Sequence, residues 1–286
     1  MADELLNKTE TQDEPDGYSV LMPVYGAVKP EHLRESIESI LRQSVPTDDF
    51  VLVCDGPLTE ALDAVVAEAA AAFAGRMQVI RLERNEGAGH ALMAGLEHCR
   101  HELVARMDSD DVSRPDRCER QLAVFRERPD CAIVSGTVEE FGDDVGRPGK
   151  KRVLPEDGAA LLDWAKKRNP FNHPCVMYRK SAVLAAGGYQ DFYLLEDYYL
   201  WVRMLRMGYT GCNIQEPLLW MRAGDDLYRR RSGWRYAESQ RKLLRYMRDV
   251  GFIDSRQYLV GCVVRTVVSV LPNGLRRLLY QSVLRE

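Results

Sequence analysis

Short apolar runs alternating with amphipathic stretches predict an α/β fold: a mainly parallel sheet flanked by helices, followed by a helical C-terminal region. Three observations carry this expectation. Strand-like and helix-like segments succeed one another in strict order from Tyr18 to Val138. The turn-rich stretches between them carry Pro, Gly, Asp and Asn, as connections do. With 286 residues, 45% of them hydrophobic and 29% charged, the chain can bury a full core as one large domain or as a domain with a helical annex.

The elements follow in order. "YSVLMPV" (18–24) predicts the first strand and 30–43 the first helix; "FVLVCD" (50–55) and 58–73 repeat the pair. "MQVIRL" (77–82) with 87–99, and "ELVARMD" (102–108) with 115–127, repeat it twice more before the strand "CAIVSGTV" (131–138). Residues 142–152, "GDDVGRPGKKR", read as an exposed turn after which the alternation stops. A helix near 157–167, the segment "NPFNHPCVMYRKSAVLAAGGY" and a helix from about Glu196 come next. Residues 232–286 predict two or three helices broken by Gly251 and Pro272.

Composition narrows the setting. Seven cysteines without metal-ligand spacing argue against a disulfide framework and for a reducing, cytoplasmic compartment. Residues 1–17 lack the basic start and apolar core of a signal peptide and read as a flexible acidic leader. The longest apolar stretch, "YLVGCVVRTVVSVLP", is too short to span a bilayer and carries Arg265 in its middle. The formal net charge is −4, yet from Arg222 onward 14 Lys and Arg stand against 6 Asp and Glu. Such a tail suits anionic lipid headgroups or a phosphorylated substrate. Without interleaved aromatics or a nucleic-acid motif, nucleic acid is not an expected partner. A solvated charged helix face is the competing explanation.

In a parallel sheet the loops beyond the carboxyl ends of the strands build the ligand site. Here they are "PVYG" (23–26), "CDGPLT" (54–59), "ERNEGAG" (83–89) and the cluster Asp108, Ser109, Asp110, Asp111. Like charges about 4 Å apart repel by about 4 kcal/mol at an effective dielectric near 20, so the cluster calls for solvent or a cation. The glycines near 87 follow the third strand and do not form G-x-G-x-x-G, and no P-loop is present. A calcium loop starting at Asp108 fails because Val112 takes its fifth position and Ser113 that of the turn glycine. What remains is a D-x-D pair holding Mg²⁺ or Mn²⁺ together with a diphosphate, the competing reading being a plain turn and N-cap before the next helix.

"SVLMPVYG", "SIESILRQS", "LVCDGPLT", "NEGAGHALMAGL", "ARMDSDDVSRPDRCERQ", "NHPCVMYRKSAVLAAGGY" and "LLEDYYLWVRMLRMGY", in this order, closely resemble the inverting glycosyltransferases of family two. "DGPLT", "RMDSDD" and "NHP" are most similar to the amylovoran-type bacterial enzymes that build capsular, exopolysaccharide or lipopolysaccharide repeat units. The resemblance implies a GT-A type fold over 18–220, with a nucleotide-sugar-binding half (18–141), an acceptor half (142–220) and a basic helical region (221–286) that is a candidate for peripheral contact with the inner membrane face. It implies a UDP- or dTDP-sugar donor, a growing glycan or polyprenyl-diphosphate-linked saccharide as acceptor, and Mn²⁺ or Mg²⁺ as cofactor.

Carried over by position, Pro23 and Tyr25 line the base pocket, Asp55 accepts a hydrogen bond from the base, and Asn85 with Gly87 shapes the base and ribose wall. Asp108 touches ribose and metal, and Asp110 is the principal metal ligand, with Asp111 beside the following turn. One departure stands out: the family's Asp-Asp-Gly-Ser is Cys54-Asp55-Gly56-Pro57 here, so only one acid remains for the base.

Displacement at an anomeric carbon needs a carboxylate to take the acceptor proton. Glu196 and Asp197 open a helix and point about 100° apart, and the family's "ED" motif assigns the base to Asp197. The competing role for Asp197 is a helix N-cap. His173, before Pro174, is a candidate for the metal shell or the diphosphate, with a structural role the default for a lone His; Arg106 and Arg229 to Arg231 could pair with phosphates, a solvated surface being the default for the arginine run. Trp201 falls on the apolar stripe with Tyr198, Val202 and Leu205 and is assigned to the core. A sugar nucleotidyltransferase is the alternative enzyme, though "PVYGAVKP" is no triphosphate loop; a non-catalytic nucleotide-sugar-binding protein is the third reading.

Overall fold

A computed structural model describes residues 17–142, 144–147, 149–223 and 233–270. Nine strands form one sheet: β1 (Tyr18–Val24), β2 (Asp49–Cys54), β3 (Met77–Arg81), β4 (Leu103–Arg106), β5 (Val112–Ser113), β6 (Cys131–Phe141), β7 (Lys151–Arg152), β8 (Met177–Arg179) and β9 (Thr210–Arg222). The helices are α1 (Pro30–Leu41), α2 (Glu60–Ala72), α3 (Ala88–His98), α4 (Arg117–Glu127), α5 (Gly158–Ala165), α6 (Lys180–Ala185), α7 (Glu196–Arg206), α8 (Trp234–Asp249) and α9 (Ser255–Val270).

The strand order is β3-β2-β1-β4-β8-β6-β9-β5, with β7 on β6. The four early strands are parallel, as the sequence predicts. Beyond them the sheet is mixed: β8 inserts antiparallel between β4 and β6, so "CAIVSGTV" does not adjoin β4. The thirteen-residue β9 was not anticipated, because Glu216 and Pro217 interrupt its apolar pattern. It pairs in parallel with β6 across register shifts around Gly136 and Thr137, which accommodate that interruption. The expected boundary after residue 220 therefore falls inside β9.

Period-two alternation sends one side of each strand to each helical layer. Tyr18, Val20, Met22 and Val24 pack with α1, α2 and α4, while Leu21, Val51 and Val53 face α3 and α7. Local signals place the helix starts: Pro30 at the first turn of α1, and Thr59, whose hydroxyl accepts from the Leu62 N–H at 3.3 Å, before α2. A third cluster, with Tyr198, Val202, Leu243 and Met247, fastens α8 to α7. Trp201 is fully buried, and all seven cysteines are free. No described helix is long and apolar enough to cross a membrane.

Candidate active site

The first three strand-end loops touch one another. Asp55 follows β2 directly; its Oδ1 accepts the Glu86 N–H at 2.7 Å and its Oδ2 the Gly87 N–H at 3.0 Å. The single acid left in that loop thus braces the loop after β3, with spare lone pairs for a base. A Cβ on Gly56, whose φ is +85°, would stand 2.6 Å from the Asn85 nitrogen, so only glycine permits this approach. A Cβ on Gly26 would stand 3.1 Å from the Pro57 carbonyl oxygen. Tyr25 and Asn85 are exposed, and Pro23 is half-buried. Asp55→Ala strands two loop N–H groups and is expected to cost about 1–3 kcal/mol of stability, read as a lower Tm; an unchanged Tm would remove the bracing role.

Past β4, carboxylate oxygens of Asp108, Asp110 and Asp111 lie within 4.8 Å of one another. The Ser36 hydroxyl donates to the Asp108 carbonyl at 2.8 Å. Asp111 does not stay beside the turn as expected; it is buried within the trio because β5 pairs with β9 and brings the Arg222 N–H to its Oδ1 at 2.8 Å. Burial and the neighbouring charges of Asp110 and Asp108 push its carboxyl well above the usual range. Three hard oxygen donors under mutual repulsion fit Mg²⁺ or Mn²⁺, which would reverse that upward shift.

The second acid group opens α7. Leu195 is the N-cap, so Asp197 is not. Asp197 accepts from the Asn169 amide at 2.6 Å through Oδ2 and from the Tyr198 N–H at 2.6 Å through Oδ1. His173 is not among the three residues whose carboxylate oxygens cluster after β4. The short 3-10 turn His173–Cys175 carries its ring to Asp197, 3.9 Å from Nδ1, and to the Tyr189 hydroxyl, 3.0 Å from Nε2. Burial, then the charge of Arg106, drives its pKa well down, so the imidazole is neutral.

Glu196 diverges from Asp197 toward α3, where its Cβ is 3.4 Å from the position a Cβ would take on Gly89. Burial, then the Asp197 charge, pushes its carboxyl up to about 7. A raised acid pKa favours folding below the unfolded value and loses that contribution as pH rises through the folded one. Without metal, Glu196→Gln is therefore expected to raise Tm by about 2–4 °C at pH 8, for roughly 1 kcal/mol, and by less at pH 5. Equal gains at both pH values would refute the buried-carboxyl account.

Arg106 pairs with the aspartate trio. It is 4% exposed, its Nη2 is 2.5 Å from Asp108, and its Nε and Nη1 have no hydrogen-bond partner among the described residues. Its charge also acts on Glu196 and His173.

Several residues here escaped the sequence reading. Arg222 donates from Nε to the Asp110 carbonyl at 2.9 Å, pairs through Nη2 with Glu35 at 2.5 Å and lies over the Phe141 ring. Behind the trio, fully buried Arg117 donates to the Arg106 carbonyl at 2.6 Å and to the Gln121 side chain at 3.1 Å. Gln43 reaches the Arg114 carbonyl at 2.7 Å and accepts from the Cys118 N–H at 3.1 Å. A polar residue on an otherwise apolar helix stripe was the one available signal. Arg229 to Arg231 lie outside the described residues.

The chain is 38% identical to the amylovoran biosynthesis glycosyltransferase AmsE of Erwinia amylovora, over 93% of this chain and 98% of that one. It is 35% identical to the UDP-Gal:alpha-D-GlcNAc-diphosphoundecaprenol beta-1,3-galactosyltransferase of Escherichia coli, over 96% and 98% of the two chains. The fold is GT-A: the mannosyltransferase PcManGT from Pyrobaculum calidifontis, solved with GDP-Man and Mn²⁺, superposes with a TM-score of 0.62 at 16% identity over 90% of this chain and 77% of that one. The family model "Glycosyl transferase family 2" matches residues 19–186, and with these relatives it identifies the chain as a glycosyltransferase belonging to family 2.

Proposed function

We propose that this glycosyltransferase is metal-dependent and inverting, and moves a hexose-type sugar from a UDP- or dTDP-sugar to a growing bacterial surface glycan carried on a polyprenyl diphosphate. The observation that carries the proposal is the buried Arg106 paired with Asp108 of the aspartate trio, with donors left over beside it and a charge that also acts on Glu196. The names of the two bacterial relatives, one for exopolysaccharide synthesis and one for a diphosphoundecaprenol acceptor, support the substrate class.

Asp197 takes the proton of the acceptor hydroxyl as that oxygen bonds to the anomeric carbon from the face opposite the leaving group. The bond from that carbon to the phosphate oxygen breaks, its electron pair leaves on the nucleoside diphosphate, and the configuration inverts. Asn169 holds the carboxylate while its Oδ1 accepts the Phe171 N–H at 3.3 Å. Asp108, Asp110 and Asp111 would hold a divalent cation, which when bound offsets the charge of the departing diphosphate. The two unpaired donors of Arg106 suit a phosphate oxygen. Tyr25, Asn85 and Gly87 wall the base and ribose, and a lipid-linked acceptor places the work at the cytoplasmic membrane face.

The test is a panel of nucleotide sugars, screened by thermal shift with Mn²⁺ and then by nucleotide release with polyprenyl-diphosphate-linked acceptors. Metal-dependent release, abolished by chelation and yielding the inverted anomer, is expected. A retained anomer, or full activity with chelator present, would overturn the corresponding part.

A further inference from the structure

Helices α8 and α9 form a hairpin whose outer side is unlike the rest of the surface. On α8, Tyr236, Ser239, Leu243 and Met247 are buried against the body, and Gln240 and Leu244 meet α9. At 100° per residue, the arc left over carries Trp234, Arg241, Lys242 and Arg245, all exposed, together with two acids, Glu238 and Asp249. On α9, Gly261 meets Leu244 of α8 and the Arg265 guanidinium bonds to Gln240, while Tyr258 and Cys262 join the cluster beneath.

What remains on α9 is a stripe of Leu259, Val260, Val263, Val264 and Val267, between 50% and 65% exposed over more than two turns. Each helix spends one side on the body and one on its neighbour, so the two leftover arcs face the same way. The hairpin therefore presents one outward surface with an aliphatic row on one helix and an exposed Trp with arginines on the other. Trp234 is 73% exposed, costly in water and at home where headgroups meet acyl chains.

We infer that this surface of α8 and α9 docks the enzyme on an anionic phospholipid bilayer, valines entering the acyl boundary and Arg241 and Arg245 meeting headgroup phosphates. Charge complementarity selects this occupant. The region from Arg222 onward is strongly basic in an otherwise acidic chain, which an anionic surface attracts and a second copy of the same basic hairpin repels. The apolar stripe alone would bind only marginally and the arginines alone would be salt-sensitive, so the pair of signals makes a stable peripheral contact. The proposal rests on the lipid-linked acceptor reading for its purpose, and its geometry stands apart from the catalytic crevice.

The test uses the full chain with vesicles of phosphatidylcholine, with and without an equal part of phosphatidylglycerol, in a sedimentation assay. Binding to the anionic vesicles is expected. V263E/V267E should weaken it by about tenfold per valine lost from the apolar phase, and R241E/R245E by about fivefold or more per arginine. All four side chains are solvent-exposed, so Tm and turnover of a short soluble acceptor should match wild type in both variants. Wild type remaining in the supernatant, or variants binding as it does, would overturn the inference. So would a wild-type dimer that V263E/V267E converts to monomer without any vesicle binding, since a second copy would then cover the stripe. Absence of any sugar transfer, with vesicle binding intact, would sink the catalytic reading and leave this one standing.

Discussion

Asp197→Asn is expected to lower kcat by about three orders of magnitude, inside the 10²–10⁴-fold range a positioned base supplies, with the donor KM little changed. Asparagine keeps the shape of the side chain, and its one amide oxygen can accept from the Tyr198 N–H, but its NH2 then faces the Asn169 amide donor and that bond is lost. Tm should therefore fall modestly, by the loss of about one hydrogen bond. What the variant lacks is an oxygen basic enough to hold the acceptor proton. Neighbouring Glu196, whose carboxyl burial pushes up to about 7, is turned toward α3, and it should not substitute. An undiminished rate of nucleotide release with acceptor would remove Asp197 from the mechanism and leave Glu196 to be tried in its place.

Asp110→Ala should abolish transfer at any practical metal concentration and, separately, abolish the thermal response to Mn²⁺. A ligand at a hundredfold excess over its Kd stabilises a folded protein by about 2.7 kcal/mol, and that increment should vanish. Without metal the sign reverses. The alanine removes one of three crowded carboxylates, relieving the repulsion that raises the Asp111 pKa, so the metal-free variant should be at least as stable as metal-free wild type. Loss of activity with an intact Mn²⁺ shift would move the principal ligand elsewhere in the trio.

The sequence spoke clearly wherever chemistry is local. The four parallel strands and the loops after them follow from apolar periodicity, and the aspartates stand where β4 runs out. Pairing between distant segments left no such trace. Nothing in "VMYR" says that β8 runs antiparallel between β4 and β6, and nothing in "TGCNIQEPLLWMR" announces a strand. His173 shows the limit: its motif left the metal shell, the diphosphate and a structural role open, and only the closed fold shows the three-residue turn that brings its ring near Asp197. Asn169 and Arg222 were invisible for the same reason, since their roles exist only after the chain has closed on itself.

Arg222 also bears on when the enzyme comes into being. Its guanidinium ties Glu35, 187 residues earlier, to the backbone of the aspartate loop, and its own N–H holds Asp111. Contacts so far apart in sequence form late, because closing a long loop is slow and yields nothing until both ends meet. A nascent chain that has released only β1 to β4 from the ribosome therefore has the aspartates but not their arrangement. Under the proposed metal-dependent mechanism, the crevice would become competent for a cation only once β9 has emerged and paired, together with the finished sheet.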